Sequence, residues 1–192
     1  MKTLITSMIL AVTALLWSCG SSNTDSKARA DSANEALTDA ARDTHTLNVA
    51  DEEDAEFAVD AANGGLTEVQ LGRVAQDKGT DPRVKEFGKM MVDDHTKAND
   101  ELKELAASKN ITLPAAPGED MEKMVADISS KNGKDFDKAY IRQMVKDHEK
   151  TVKLFENGQK NVKDAEIRAF IDKTLPVLKS HLDHIRNLDK AK

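Results

Sequence analysis

A short phrase that occurs twice constrains the fold of this chain more than any other feature: Met91-Val-Asp-Asp-His95 and Met144-Val-Lys-Asp-His148. Each copy has an aromatic residue eight positions before its histidine, which is close to two helical turns. Helix positions separated by three, four, seven and eight share a face. Around His95 that face holds only apolar or small residues: Val84, Phe87, Gly88, Met91, Ala98, Leu102 and Leu105. Both histidines are predicted to lie on core-facing stripes, since the face around His148 holds Tyr140, Ile141, Met144, Thr151, Val152 and Phe155.

The composition favours an all-α fold. Charged residues make up 32% of the 192 residues and are spread between apolar positions at helical spacing, whereas aromatic residues make up only 4%. No segment alternates apolar and polar residues over the length of a strand. Residues 51–190 are long enough to form one domain with its own core.

Capping signals and apolar periodicity predict four long helices. Helix A begins at Asp51 and ends before Gly79; glycines within residues 63–65 either split or kink it, or let another helix come close. Helix B begins with Asp81 as N-cap and Pro82 at its first position, and it runs to about residue 109. Helices C and D are predicted over residues 135–161 and 164–190, with Pro176 producing a kink in helix D.

The connection between helices B and C, residues 110–134, is longer than antiparallel neighbours need. It contains Pro114 and Pro117, followed by a short amphipathic stretch over residues 121–128. The A–B and C–D connections are only a few residues long. Two helical hairpins joined by a long crossover that carries a short helix form the ferritin-like arrangement of a four-helix bundle.

The N-terminal segment has the pattern of an export signal. A basic start at Lys2 and an apolar run to Trp17, too short to span a bilayer, end just before Cys19, the only cysteine. We expect residues 1–18 to be a signal peptide and Cys19 to carry lipid, as in the lipobox of bacterial lipoproteins; the alternative is an incidental thiol. Residues 20–50 are rich in Ser, Asp, Asn, Thr and Ala, and this composition predicts a flexible tether over 19–50.

Each predicted long helix places one titratable residue on its inner face: Glu68, His95, His148 and His181. With a rise of about 1.5 Å per residue, all four fall near the middle of the predicted bundle and could meet. Three imidazoles and one carboxylate in a dry core suit a single transition-metal ion such as Cu, Zn or Fe. A neutral hydrogen-bonded network, or a carboxylate–imidazolium pair, would satisfy the same residues without metal.

Further candidates flank these four residues. Met91 and Met144 lie one turn before His95 and His148, and as thioether ligands they would favour copper, although methionine on such a face is ordinarily core filling. His184 could supply another nitrogen or lie at the surface. Neighbouring helix positions diverge by about 100°, so Asp94 and Asp147 are expected to face solvent or an adjacent helix, where they could orient an imidazole from outside the site.

Several motifs together resemble a bacterial family, "domain of unknown function 4142". They are Gly65-Leu-Thr-Glu68-Val-Gln-Leu71, the two phrases ending at His95 and His148, Phe136-Asp-Lys-Ala-Tyr140, and Leu175-Pro-Val-Leu-Lys-Ser-His181. The resemblance covers about residues 54–188. It implies a ferritin-like bundle exported to the periplasm or outer membrane, with no established activity. The Glu-xx-His pattern of di-iron members is missing, because Val92 and Leu178 stand three residues before their histidines.

The sequence therefore predicts a lipid-anchored protein of the bacterial cell envelope, located at the outer membrane and facing the periplasm or the cell surface. Its expected role is non-enzymatic, in metal binding or stress, and the alternative is a structural or interaction module whose buried residues form only a network. The formal net charge of −6 argues against nucleic acid as a partner. No Gly-rich phosphate loop or catalytic Ser/His/Asp order is present.

Overall fold

The structure is a computed structural model that describes residues 25–44 and 50–190. Within those residues the chain forms helices and no strands, which confirms the all-α prediction. The helices are α1 (Ser26–Thr44), α2 (Glu52–Lys78), α3 (Pro82–Ser108), α4 (Glu119–Ser130), α5 (Gly133–Asn161) and α6 (Ala165–Lys190). Helices A to D of the sequence correspond to α2, α3, α5 and α6.

Three of the four predicted helix starts are confirmed by their caps, whereas α5 begins at Gly133, two residues before the predicted start. The Asp51 side chain accepts a hydrogen bond from the backbone N–H of Glu53 at the start of α2. Asp81 accepts one from Arg83, and Pro82 occupies the first position of α3. At the start of α6, Asp164 Oδ1 accepts from two backbone N–H groups, at 2.9 and 3.0 Å. Helix N-termini leave such N–H groups without partners in the helix itself, so an acceptor at the cap fixes where the helix begins.

Helix α2 runs without interruption through residues 63–65, so these glycines do not split it. Gly65 serves close approach instead, because a Cβ there would overlap the Asn99 side chain of α3, whereas one at Gly64 would make only an ordinary contact. Farther along the same pair of helices, a Cβ at Gly72 would lie 2.6 Å from the Gly88 carbonyl oxygen, so the two backbones are in contact there.

The four long helices pack around a shared core. α2 packs chiefly against α3, and α5 chiefly against α6; α2 also contacts α5, and α3 contacts α6. The short helix α4 lies across α2 and α5. The largest fully buried side chains include Tyr140, Phe87, Phe136, Leu71 and Met91. These contacts place the inner faces of α2, α3, α5 and α6 opposite one another.

The two short turns are each held by a buried aspartate from the other helix pair. Asp137 of α5 accepts hydrogen bonds from the backbone N–H groups of Thr80 and Asp81, both at 3.0 Å, and from the Thr80 hydroxyl. Asp54 of α2 accepts from the N–H groups of Lys163 and Asp164, at 2.8 and 2.9 Å. Each turn is thereby fixed to the opposite pair, which sets the register of the four helices.

The prediction of a flexible tether is wrong for Ser26–Thr44, which form helix α1. The segment is rich in alanine, the best helix former. It packs on α2, but polar contacts hold much of it in place: Asn34 and Thr112 exchange two hydrogen bonds, of 2.9 and 2.7 Å. The Ser26 hydroxyl oxygen also accepts from the N–H groups of Ala115 and Ala116. Apolar periodicity could not predict a helix that is docked in this way.

The predicted signal peptide, Cys19 and the remaining parts of the tether, residues 20–24 and 45–49, lie outside the described residues. Among the helices that the structure describes, none has the length and apolar character needed to cross a membrane.

Candidate metal centre

Four buried titratable residues meet at the centre of the core, one from each long helix. Glu68 comes from α2, His95 from α3, His148 from α5 and His181 from α6. All four are buried, and Glu68 retains only 1% of its exposure. The four residues therefore lie close together, as their positions along the helices predict. The two aspartate-held turns produce this arrangement because they fix the axial position of each helix pair.

The three imidazoles form a nearly regular triangle. Their ring centroids are separated by 5.8 Å (His95–His148), 5.4 Å (His95–His181) and 5.6 Å (His148–His181). One ring nitrogen from each histidine lies within 4.8 Å of the other two. Of the His, Cys, Asp and Glu residues that the structure describes, these histidines make the only cluster of three or more with metal-ligand spacing.

Two histidines each have one ring nitrogen that is hydrogen-bonded to a group outside the three rings, and these bonds determine which nitrogen carries the proton. His181 Nε2 lies 2.8 Å from Asp94 Oδ2, and His148 Nδ1 lies 2.9 Å from the Met144 carbonyl oxygen. Both partners are acceptors, so each of these nitrogens carries the proton and donates. His181 Nδ1 and His148 Nε2 therefore hold lone pairs. Together with His95 Nε2, they are buried and have no hydrogen-bond partner among the described residues.

Glu68 contacts the outer nitrogens of two histidines. Its Oε2 lies 3.1 Å from His95 Nδ1, and its Oε1 lies 3.4 Å from His148 Nδ1. Neither contact has the angles of a hydrogen bond, and both oxygens are buried without a hydrogen-bond partner in the described part of the chain. The residue predicted as a fourth ligand thus contacts the Nδ1 atoms of His95 and His148, whereas the unpartnered nitrogens of these two rings are the Nε2 atoms.

Burial disfavours the charged forms of the residues in this cluster. It lowers the pKa of His148 to about 4, with a further contribution from His181. Burial also lowers the pKa of His95 well below its usual value, assisted by the other two histidines, and it lowers that of His181 despite the opposing effect of Asp94. Burial, and then the nearby Asp147, raises the pKa of Glu68 well above its usual value. Neutral imidazoles are the protonation state that metal binding requires.

The other candidates from the sequence occupy different surroundings. Met91 and Met144 are fully buried in the core, and Met144 also supplies the carbonyl oxygen that holds His148. His184 is exposed, with its ring 5.5 Å from that of Phe87. Asp147 is half-buried on the side of Glu68, where its Oδ1 accepts a 2.8 Å hydrogen bond from Gln143. Of the two aspartates expected to orient an imidazole, only Asp94 contacts one in this structure.

One polar group near the centre was missed at the sequence level. The Tyr140 hydroxyl is buried without a hydrogen-bond partner among the described residues, and burial together with the nearby Glu68 raises its pKa above the usual value. The available signal was the tyrosine itself. It stands eight residues before His148, where the other copy of the phrase has Phe87. A hydroxyl on a core-facing stripe needs a polar neighbour.

A cavity of about 100 Å³ connects the cluster with the surface between α3 and α6. His95 and His181 lie on its wall, together with Asp94, Lys97, Glu101 and Lys173. Val177, the most exposed large apolar side chain among the described residues, also lines it. Two of the three imidazoles can therefore be reached from solvent through this opening.

Known structures share the fold at low sequence identity. The crystal structure of a DUF305 fragment from Deinococcus radiodurans aligns with a TM-score of 0.66 and 10% identity, covering 75% of this chain and 99% of that chain. CopM in its Cu(I)-bound form aligns with a TM-score of 0.60 and 17% identity, covering 72% and 96%. Its Cu(II)-bound form gives 0.59 and 16%, with the same coverage. No curated protein matches the sequence.

The sequence itself matches one family over most of its length. The match covers residues 36–188, from within α1 almost to the end of α6. It includes all four residues of the central cluster and both copies of the repeated phrase. This chain belongs to the family defined by the domain of unknown function DUF4142.

Proposed function

We propose that this chain binds a single transition-metal ion, copper before zinc or iron, through His95, His148 and His181. The observation that carries the proposal is the histidine triangle itself: one nitrogen of each ring lies within 4.8 Å of the other two, and each ring has a buried nitrogen without a hydrogen-bond partner in the described residues. A buried nitrogen lone pair that has lost its water and gained no donor costs free energy. A metal ion would satisfy all three at once.

The geometry requires only a small adjustment. Metal–imidazole bonds of about 2.0–2.1 Å bring ligand nitrogens to about 3.4 Å from one another in a tetrahedral arrangement. The present nitrogens lie within 4.8 Å of one another, so small rotations of the rings would complete the set. Asp94 and the Met144 carbonyl already hold two rings by their outer nitrogens. Such outer hydrogen bonds orient metal-bound histidines and increase their basicity.

Copper is the first ion to test for two reasons. Met91 and Met144 lie one turn before two of the histidines and are fully buried, so a side-chain rotation that brought a thioether sulfur to the imidazoles would favour a soft ion. The fold is also that of CopM, which is known in Cu(I)-, Cu(II)- and Ag-bound forms. At 16–17% identity this likeness concerns the fold alone, so the choice of ion rests on the donor atoms of this chain.

A purely structural network, the alternative function, fits these contacts less well. A network that stabilises a core pairs its buried donors and acceptors. Here three imidazole nitrogens, both Glu68 oxygens and the Tyr140 hydroxyl lack hydrogen-bond partners within the described residues. The arrangement is that of a binding site whose ligand would complete it.

We also propose a location for this chain in the cell. The basic start, short apolar run and Cys19 support export and lipid attachment at the outer membrane, with the domain facing the periplasm or the surface. We propose a ferritin-like four-helix bundle there that acts as a non-enzymatic metal-binding protein, with a role in metal stress. Its membrane contact would be the lipid.

Metal loading of the full-length protein tests the proposal. After exposure to Cu(I), Zn(II) or Fe(II) and dialysis, we expect about one copper ion per chain by elemental analysis. His181→Ala should abolish binding. The matched control is His184→Ala, three residues farther along α6 and exposed, which should bind as the wild type does. Less than about a tenth of an equivalent of every ion, or equal loss in both variants, would overturn the proposal.

A further inference from the structure

A second cavity lies beside Glu68, and none of the three histidines lines it. It has a volume of about 220 Å³ and lies between α2, α4 and α5, with the start of α1 at its edge. Glu68 and Thr67 of α2, and Asp147 and Thr151 of α5, are on its wall. Glu68 and Thr151 also line a small cavity beside His95, so these two residues lie between the two spaces.

The inner wall of this cavity carries carboxylate oxygens without hydrogen-bond partners among the described residues. They are both oxygens of Glu68, which is 1% exposed, and Asp147 Oδ2. The other Asp147 oxygen accepts from Gln143. Two acidic groups are therefore brought together at the inner end of a water-sized space, with three oxygen atoms available as ligands.

The nearby lysines do not neutralise this pair. Lys27, at the cavity edge, is engaged by Asp31 at 2.8 Å and Asp60 at 3.1 Å. Lys150 also lines the cavity but forms no ion pair with Asp147. Among the described residues, the acidic pair thus has no lysine or arginine in direct contact.

Further neutral oxygens complete the set of donors. The Thr67 hydroxyl donates to the Asn63 carbonyl oxygen at 2.7 Å, which leaves the hydroxyl lone pairs free to act as acceptors or ligands. Thr151 lies on the same wall. Each water needs about 10–15 Å³ when volume is counted by probe centres, so the cavity has room for an ion together with several waters.

We propose that this cavity binds a hydrated divalent cation of the hard type, such as Mg²⁺, Ca²⁺ or Mn²⁺, with Glu68 and Asp147 as its carboxylate ligands. Hard cations prefer oxygen ligands, and Mg²⁺ in particular is commonly held by one or two carboxylates while it keeps several waters. The site differs from the histidine triangle in position and in donor chemistry. Only Glu68 contacts both.

Binding of Mn²⁺ to the full-length protein tests this site, because free Mn²⁺ has an EPR signal that is lost on binding. We expect the wild type to bind about one Mn²⁺ ion. Asp147→Asn should bind Mn²⁺ at least about tenfold more weakly. The matched control is Asp120→Asn, which removes a fully exposed carboxylate at the rim of the same cavity and should bind normally. No binding by the wild type, or equal weakening in both variants, would overturn the proposal.

Two further measurements separate this site from folding effects and from the proposed copper site. Thermal melting of Asp147→Asn should match the wild type, since an amide still accepts the Gln143 hydrogen bond; normal melting with normal Mn²⁺ binding would overturn the proposal. His181→Ala should retain Mn²⁺ binding whether or not the wild type binds copper. Loss of Mn²⁺ in His181→Ala, with retention in Asp147→Asn, would place Mn²⁺ at the histidines and overturn the oxygen-lined site.

Discussion

The ends of the helices and their centre both contain buried acids, but the acids have opposite surroundings. Asp54 and Asp137, 2% and 6% exposed, hold the two turns and accept two and three hydrogen bonds. Glu68, 1% exposed, accepts none with good geometry from the described residues. Burial alone therefore does not separate structural carboxyls from functional ones. The separation comes from whether the protein itself supplies their partners.

This difference has an energetic meaning. A buried carboxylate with several N–H donors stabilises the fold through charge-assisted hydrogen bonds. A buried carboxyl and three imidazoles without such donors cost free energy until a ligand binds. We expect substitutions at the ends to change stability and substitutions at the centre to change binding.

The largest effect is expected at a turn. Asp137→Ala leaves the N–H groups of Thr80 and Asp81 without their acceptor and should lower the free energy of unfolding by about 3–5 kcal/mol, measured by guanidinium denaturation. Metal stoichiometry of the folded variant should be unchanged. The control is Asp135→Ala, an exposed residue in the first turn of the same helix. A loss below about 1 kcal/mol would contradict the view that the turn aspartates stabilise the fold.

The next largest effect is a pH dependence of the free energy of unfolding, caused by the buried histidines. His148 has a pKa of about 4 in the folded protein and an ordinary value of 6.5. Its folded pKa is depressed, so its contribution to stability is present above about pH 6.5 and is lost as the pH falls through about 4. For the metal-free protein this loss is on the order of 3 kcal/mol, measured by denaturation at each pH.

Substitutions of His148 on α5 and of His184 on α6 sharpen this prediction. His148→Gln should reduce the pH dependence of unfolding between pH 6.5 and 4, because one of the three histidines with a lowered pKa is removed. His184→Ala, at an exposed position, should retain the wild-type slope. An unchanged slope in His148→Gln would show that acid sensitivity arises elsewhere.

A smaller effect is expected from Glu68→Gln. The variant loses the carboxylate beside His95 and His148, and its copper affinity should fall about 10–100-fold. The stability of the metal-free protein should change by less than about 1 kcal/mol or rise, because a buried acid without hydrogen-bond partners is removed. Competition with a copper chelator and denaturation give the two values. A large loss of stability would mean that Glu68 acts as the turn aspartates do.

The smallest effect is expected at Asp94. Asp94→Asn weakens the hydrogen bond to His181 Nε2 but leaves an acceptor in place, and the position is partly open to water. Copper affinity should fall about tenfold or less in the same competition assay. Asp93→Asn is the matched control, since Asp93 is exposed and pairs with Lys89. Equal effects in the two variants would show a general influence of surface charge.

Much of the fold could be predicted because its signals are local. Asp81 followed by Pro82 marks a helix start whatever surrounds it, and the apolar stripes fix which faces turn inward. Helix α1 could not be predicted in this way. It buries little apolar surface and depends on bonds such as Asn34 to Thr112, between residues 78 apart in sequence.

The candidate site also has features that local sequence signals predict and features that they do not. Helical rise and short turns were enough to predict that Glu68 and the three histidines meet. Which nitrogen faces the centre depends on Asp94 and the Met144 carbonyl, and hence on side-chain rotamers and the register between helices. The same limit applies to Asp147, whose position beside Glu68 depends on how α5 is rotated against α2.

The contact between Gly72 and Gly88 controls the distance between α2 and α3, and so the spacing of the central residues, from a position outside the cluster. Gly72 follows Glu68 by four residues on α2, and Gly88 precedes His95 by seven on α3, so both share the inward faces. A single methyl group at either glycine would collide with backbone and push the two helices apart. The distances between the imidazoles could then be altered, by evolution or by an engineer, while every donor atom stays in the sequence.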